Sequence, residues 1–206
     1  MEIAGEPLEW VLKDTRTGPS SYLSVSTRSY VMPDGNVADW DILEGGRTVA
    51  LVAITEDSEV ILVRMFRPGP AQVMLEMPGG NVEPDEDIET AARRELREET
   101  GYVPGSINVV GQTWLASYAT HQRFAVLATG CYRPPPDGRS SVREDRLEFA
   151  ATTLVSVADF RSHVAAGKLT DTDLAFMCLN HIDRRPDHQV PNKFLIASTS
   201  SDGASA

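Results

Sequence analysis

Three glutamates in one short segment, Glu95, Glu98 and Glu99, have the type and spacing of ligands for a hard cation. They lie in a run over residues 80–102 that reads GNVEPDEDIETAARRELREETGY. Placed about 100° apart around a helix axis, Ile88, Ala91, Ala92 and Leu96 share one arc, which is expected to face the core. Glu95 and Glu99 project within that arc, one turn apart, with Glu98 at its edge. Thr90, Arg93 and Arg97 point the other way. An ionised carboxylate on a core-facing arc is costly unless something neutralises it, and neighbouring carboxylates repel. Mg²⁺ or Mn²⁺, which prefer oxygen ligands, resolve both problems. The plain alternative is a solvated acidic helix with i,i+4 ion pairs, and Arg94 and Glu98 have that spacing. Gly80, Glu86, Arg94, Leu96, Gly101 and Tyr102 complete the run around the three glutamates.

The elements that position these groups are legible around them. Asp85 or Asp87 can cap the helix start, Pro84 suits its entry, and Gly101 can end it in a left-handed conformation. Strands are expected over 22–32 and 37–43, joined by the Pro33-Asp34-Gly35 turn. Gly45-Gly46 breaks the second. Further strands are expected over 48–55, 59–64, 73–77, 107–116, 123–129 and 149–157, and helices over 158–167 and 170–182, the last capped by Thr170 or Asp171. The sum is an α/β fold: a mixed sheet with helices on its faces, preceded by a hairpin too small to fold alone. The expected division is a hairpin region over 1–45, a main domain over 46–197 and a small polar tail over 198–206, expected to be disordered.

The bulk composition narrows the function. The 206 residues carry a net charge of −11, so a nucleic-acid backbone should be repelled. A small phosphorylated ligand remains compatible, held by a metal and a few arginines. The two cysteines, Cys131 and Cys178, have no metal-ligand neighbour nearby and suggest a reducing compartment. The opening MEIAGEPLEW lacks the basic and apolar regions of a secretion signal, and no apolar run reaches the roughly 18 residues of a membrane span. A cytoplasmic protein without membrane partners is therefore expected.

The 80–102 run resembles the Nudix box, G-x5-E-x7-R-E-U-x-E-E-x-G-U with U apolar, at Gly80, Glu86, Arg94-Glu95, Leu96, Glu98-Glu99 and Gly101, with Tyr102 in the last apolar place. Residues 22–182 resemble the ADP-ribose pyrophosphatase branch of the Nudix hydrolases. The branch resemblance rests on Leu62-Val63-Arg64-Met65-Phe66-Arg67, Glu76-Met77-Pro78-Gly79-Gly80 and Gly167-Lys168-Leu169-Thr170-Asp171. It implies a Nudix α/β/α sandwich with an N-terminal β-hairpin subdomain, and a homodimer in which the hairpins swap. It implies that Glu95 and Glu99 ligate Mg²⁺, or Mn²⁺ in its place, with Glu98 beside them and the Gly79 carbonyl as a further ligand. Glu86 would pair with Arg94, and Gly80 and Gly101 would shape the loop and the helix end.

The same resemblance implies the substrate contacts. Arg67 would touch the diphosphate, with Arg64 a weaker candidate, and Glu76 would lie near ribose or phosphate. The base that activates water would be a loop carboxylate, Glu148 first, with Glu144 and Asp145 in the same loop; Glu98 is a further catalytic candidate. Tyr22 and Trp40 stand where relatives carry rings that sandwich adenine, and hairpin packing is the alternative role for both. Trp10 and Trp114 read as packing residues. Tyr118 stands where ADP-ribose enzymes usually carry proline, and a tyrosine there is associated with diadenosine-polyphosphate hydrolases. His121, near it, reads as a structural histidine or a phosphate contact. The expected activity is Mg²⁺-dependent hydrolysis of a nucleoside diphosphate sugar, ADP-ribose first. The alternatives are GDP-mannose or another nucleotide sugar, a dinucleoside polyphosphate, or nucleotide sensing without cleavage.

Overall fold

A computed structural model describes residues 11–17, 23–135 and 151–184. Tyr22, Glu144, Asp145, Glu148, Trp10 and the 198–206 tail lie outside the described residues. Thirteen elements follow one another: β1 (Val11–Thr17), β2 (Ser24–Val31), β3 (Val37–Glu44), β4 (Arg47–Thr55), β5 (Glu59–Arg67), β6 (Gln72–Glu76), β7 (Gly79–Asn81), α1 (Ile88–Thr100), β8 (Ser106–Trp114), β9 (Gln122–Cys131), β10 (Ala151–Ser156), α2 (Val157–Ala165) and α3 (Thr172–Asp183).

The central sheet runs β10-β5-β4-β9-β8, with β6 added to β5 and β7 to β4. It is mixed, since β4 and β9 pair in parallel and the other pairs are antiparallel. β4 shows why the fold has three layers. Successive side chains of a strand face opposite sides, and this strand is apolar on both. Val49, Leu51 and Ala53 join Ala91, Ala92 and Leu96 of α1 in one cluster. Ala50, Val52 and Ile54 join Phe160 of α2 and Leu174 and Cys178 of α3 in the other. The α/β/α sandwich follows directly from that double apolar face.

α1 begins where Asp87, not Asp85, accepts from the Thr90 N–H at 2.8 Å. It ends where Gly101 adopts φ 74° and donates to the Arg97 carbonyl at 2.9 Å. Its core arc is as the projection requires, with Ala91, Ala92 and Leu96 fully buried. Truncating Leu96 to Ala would cost roughly 2–5 kcal/mol.

The expected hairpin is present as β2–β3, and β1 adds a third strand to it, in the order β1-β2-β3. The turn between β2 and β3 forms with Gly35 at φ 82°. β1 is absent from the expectation because LKDTR offers almost no apolar alternation. Polar cross-strand contacts carry its pairing instead: Arg16 of β1 and Ser29 of β2 both bond Asp39 of β3. Among the described residues, backbone hydrogen bonds tie the sheet to the main domain where β3 meets residues 118–120. The Leu43 N–H donates to the Tyr118 carbonyl at 2.8 Å, and the Thr120 N–H donates to the Leu43 carbonyl at 3.0 Å. Among the described residues, no helix is long and apolar enough to cross a membrane.

Candidate active site

β7 brings the box loop to α1. It pairs antiparallel with β4, setting Gly79 against Ala50 and Gly80 against Val49. A Cβ on Gly79 would sit 2.1 Å from the Val49 carbonyl oxygen, so only glycine permits that approach. A Cβ on Gly80 would sit 2.6 Å from the Glu95 carboxylate, so the missing side chain leaves the space that carboxylate uses. The Gly79 N–H donates to Glu99 Oε2 at 2.9 Å. Gly79, Gly80, Glu95 and Glu99 therefore meet at one step of backbone.

Arg94 organises the rest. Its Nε and Nη2 reach both oxygens of Glu86 at 3.0 and 2.9 Å, and Nη2 also donates to the Asn81 carbonyl at 2.8 Å. Its Nη1 reaches Glu95 at 2.7 Å and Glu98 at 3.3 Å. These bonds, Glu86 first, raise the guanidinium pKa. The Arg94 bonds likewise hold the Glu86 carboxyl below its ordinary range. Glu95 is only 6% exposed, and Arg94 is the counter-charge that makes its burial tolerable.

The donor set is oxygen only, which suits a hard divalent cation. Glu95 and Glu99, with the Gly79 carbonyl and Glu98 at the edge, are the groups that would hold it. Among the described residues, no three histidine, cysteine or acidic side chains converge as a ready-made cage. Arg94 draws Glu95 and Glu98 together, whereas Glu99 points to Gly79.

A cleft of ≈ 340 Å³ opens beside this backbone step, lined among others by Gly79, Gly80, Arg67, His121, Arg123 and Asp171. Strand parity separates the two candidate arginines. Arg67 shares its side of β5 with buried Val63 and Met65 and reaches the cleft, while Arg64 faces outward. Glu76 does not line the cleft. It is 1% exposed and accepts from the N–H (3.2 Å) and hydroxyl (2.9 Å) of Thr170, anchoring the entry to α3. Asp171 occupies the α3 cap position without a capping bond. Its carboxylate instead takes Arg123 Nη1 at 2.8 Å, because a buried guanidinium is the stronger donor.

Arg123 is the residue that sequence reasoning missed. It is 8% exposed, pairs with Asp171 and Asp173, and lines the cleft. The available signal was a cation opening the otherwise apolar run Phe124-Ala125-Val126-Leu127-Ala128, where a buried strand seldom tolerates one. His121 lines the same cleft, and burial, then Arg123, lower its pKa, so the ring is neutral near pH 7.

Trp40 and Tyr118 lie elsewhere. Trp40 is paired across β2–β3 with Arg28, on the same face. Arg28 lines a second hollow of ≈ 530 Å³ together with Trp114, Ser117 and Thr120. Trp114 is 55% exposed there, contrary to the packing role expected of it: it ends β8, beyond the cover of α3. Tyr118 is 58% exposed, and its backbone carbonyl rather than its ring does the docking.

A NUDIX domain model matches residues 45–174, and the chain belongs to the Nudix family. Over 94 residues it is 37% identical to an ADP-ribose pyrophosphatase of Bacillus subtilis (strain 168), covering 46% of this chain and 48% of that protein. It is 34% identical over 94 residues to a methanol dehydrogenase activator of Bacillus methanolicus, with the same coverage. It is 31% identical over 116 residues to an ADP-ribose pyrophosphatase of Saccharomyces cerevisiae, covering 48% and 50%. The chain thus spans about half the length of the curated relatives it matches. A solved ADP compounds hydrolase, 18% identical, superposes with a TM-score of 0.74 over 88% of this chain and 99% of the other, which shows the shared fold.

Proposed function

We propose that the chain hydrolyses the diphosphate bond of a nucleoside diphosphate sugar in a divalent-metal-dependent reaction, with ADP-ribose giving AMP and ribose 5-phosphate. The observation that carries this reading is the meeting of Glu95 and Glu99 at the Gly79–Gly80 backbone, beside a cleft that also holds Arg67. Relatives named ADP-ribose pyrophosphatase support it. Mg²⁺, or Mn²⁺ in its place, supplies charge neutralisation of the diphosphate when bound. Glu95, Glu99 and the Gly79 carbonyl would hold it, with Glu98 beside them, and Arg94 sets the orientation of Glu95. Arg67 holds the diphosphate against that edge. A water oxygen attacks one phosphorus, the bridging P–O bond breaks, and the water's proton passes to a carboxylate. Glu148 is the proposed acceptor, with Glu144 and Asp145 as alternatives. Glu98 is a further candidate for that role. Tyr22 and Trp40 are the proposed base-stacking rings.

The chain is further proposed to act in the cytoplasm as a homodimer through its N-terminal sheet, where Val25, Val37 and Trp40 are exposed apolar residues. Tyr118 favours a second reading, a dinucleoside polyphosphate as substrate, and GDP-mannose is the alternative nucleotide sugar. The test is turnover of ADP-ribose, GDP-mannose, Ap4A, NADH and CoA with Mg²⁺, read as phosphate released by added phosphatase. ADP-ribose should be cleaved fastest. Tight binding of one of them without cleavage of any would instead mark a sensor.

A further inference from the structure

Three residues that line one cleft each carry a buried side-chain nitrogen without a hydrogen bond: Arg67 Nε, His121 Nε2 and Arg123 Nε. Buried polar atoms are nearly always paired in a folded protein, so unpaired nitrogens on three residues around one space indicate a ligand that completes them. Arg123 is the most informative of the three. Its Nη atoms are taken by Asp171 at 2.8 Å and by Asp173, which fixes the guanidinium and leaves Nε over. Arg67 Nε lies 3.7 Å from Glu76 Oε1, beyond hydrogen-bond reach.

The charges decide what the ligand is. The Arg123 guanidinium already has two carboxylates beside it, Asp171 and Asp173, whereas Arg67 is left for the diphosphate. Burial keeps His121 neutral, so its ring offers one donor and one acceptor. The spare N–H groups thus call for acceptors without calling for another negative charge. A phosphate beside Arg123 and His121 would face Asp171. Among the described residues, no Phe, Tyr or Trp lines the cleft to stack a base. A hydroxyl fits both demands, since it accepts from Nε–H and donates to a carboxylate or to an imidazole nitrogen.

We propose that Arg123 and His121, with Asp171, form a subsite for the uncharged, hydroxyl-bearing half of the substrate, the sugar beyond the diphosphate. This rests on the hydrolase reading above and chooses within it. A dinucleoside polyphosphate would place further charge and a second base where this subsite takes neither.

The test is calorimetric binding of ADP-ribose and of ADP to the full chain in EDTA. Wild type should bind ADP-ribose about tenfold more tightly than ADP, through one to two extra hydrogen bonds. Arg123→Lys keeps the charge facing Asp171 and Asp173 but loses the Nε donor. His121→Asn keeps a polar atom near the Nδ1 place and loses Nε2. Each should cut the preference by about three- to tenfold and leave ADP affinity alone. Thermal unfolding checks that each variant is folded, and His121→Asn decides should Arg123→Lys fail to fold. Equal losses for ADP and ADP-ribose, no preference in wild type, or no binding of ADP-ribose overturns the proposal. Failure of the hydrolase reading is distinct: ADP-ribose is then bound with the preference intact but is not cleaved.

Discussion

The Gly79 N–H donates a 2.9 Å hydrogen bond to Glu99 Oε2 and so ties the start of β7 to the last turn of α1. The bond orients the Glu99 carboxylate at this backbone step. Glu99→Gln retains an acceptor for Gly79 but loses the charge. It should fold normally and lose turnover by on the order of 10²-fold or more, because altering even a supporting partner of a metal ligand costs about 10–100-fold. Steady-state rates across a Mg²⁺ titration check this, and unchanged turnover would remove Glu99 from the metal site.

The adjacent glycines should fail differently. A Cβ on Gly79 meets Val49 backbone 2.1 Å away, which cannot yield without parting β7 from β4. Gly79→Ala should therefore lower the melting temperature severely or prevent folding. A Cβ on Gly80 meets only the end of the Glu95 side chain. Gly80→Ala should cost about 1–3 kcal/mol, as overpacking does, while displacing Glu95 and weakening metal binding. Calorimetric melting with and without Mg²⁺ separates the two outcomes.

Acid should loosen the box loop through Glu86. Hydrogen bonds from Arg94 hold its folded-state pKa below the unfolded value. A depressed carboxyl pKa contributes stability above the unfolded value, about 4.3, and that contribution is lost as pH falls through the folded value. Glu44, held down by Ser26 first and then Arg28, adds to the same slope. Denaturant midpoints should fall below about pH 4.3, and the fall should be shallower in Glu86→Gln. An unchanged slope in that variant would mean that the Arg94 pairing contributes nothing to acid stability.

The two thiols should be silent in the folded state. Cys131 and Cys178 are buried, and burial pushes both pKa values up to about 12. The thiolate is the reactive form, so a colorimetric thiol reagent at pH 8 should react only as fast as the protein unfolds. Prompt labelling of either cysteine in native protein would contradict that burial.

The metal-site helix was legible in the sequence because its information is local. A 3.6-residue period places Ala91, Ala92, Leu96, Glu95 and Glu99 on one arc whatever surrounds them, and Gly101 ends the helix by its own conformational freedom. The strand expected over 48–55 was legible in the same way, and the structure covers both of its faces. Glu86 and Arg94 were paired through family resemblance, and their hydrogen bonds bear that out.

Contacts between distant segments were decided only in three dimensions. Arg123 and Asp171 stand 48 positions apart, and nothing local links a strand-opening arginine to the cap position of α3. Their pairing exists because β9 packs against α3 and leaves a buried charge that needs a counter-charge. Strand parity became decisive only once the pairing of β5 was known: it turned Arg67 into the cleft and Arg64 away from it. Glu76 moved from an expected ligand contact to the anchor of Thr170 for the same reason, since burial forces a carboxylate to bond whatever donors surround it. Periodicity along the chain therefore specified the helix and its carboxylates, whereas the cleft's donors were set by which strands and helix ends the fold brings together.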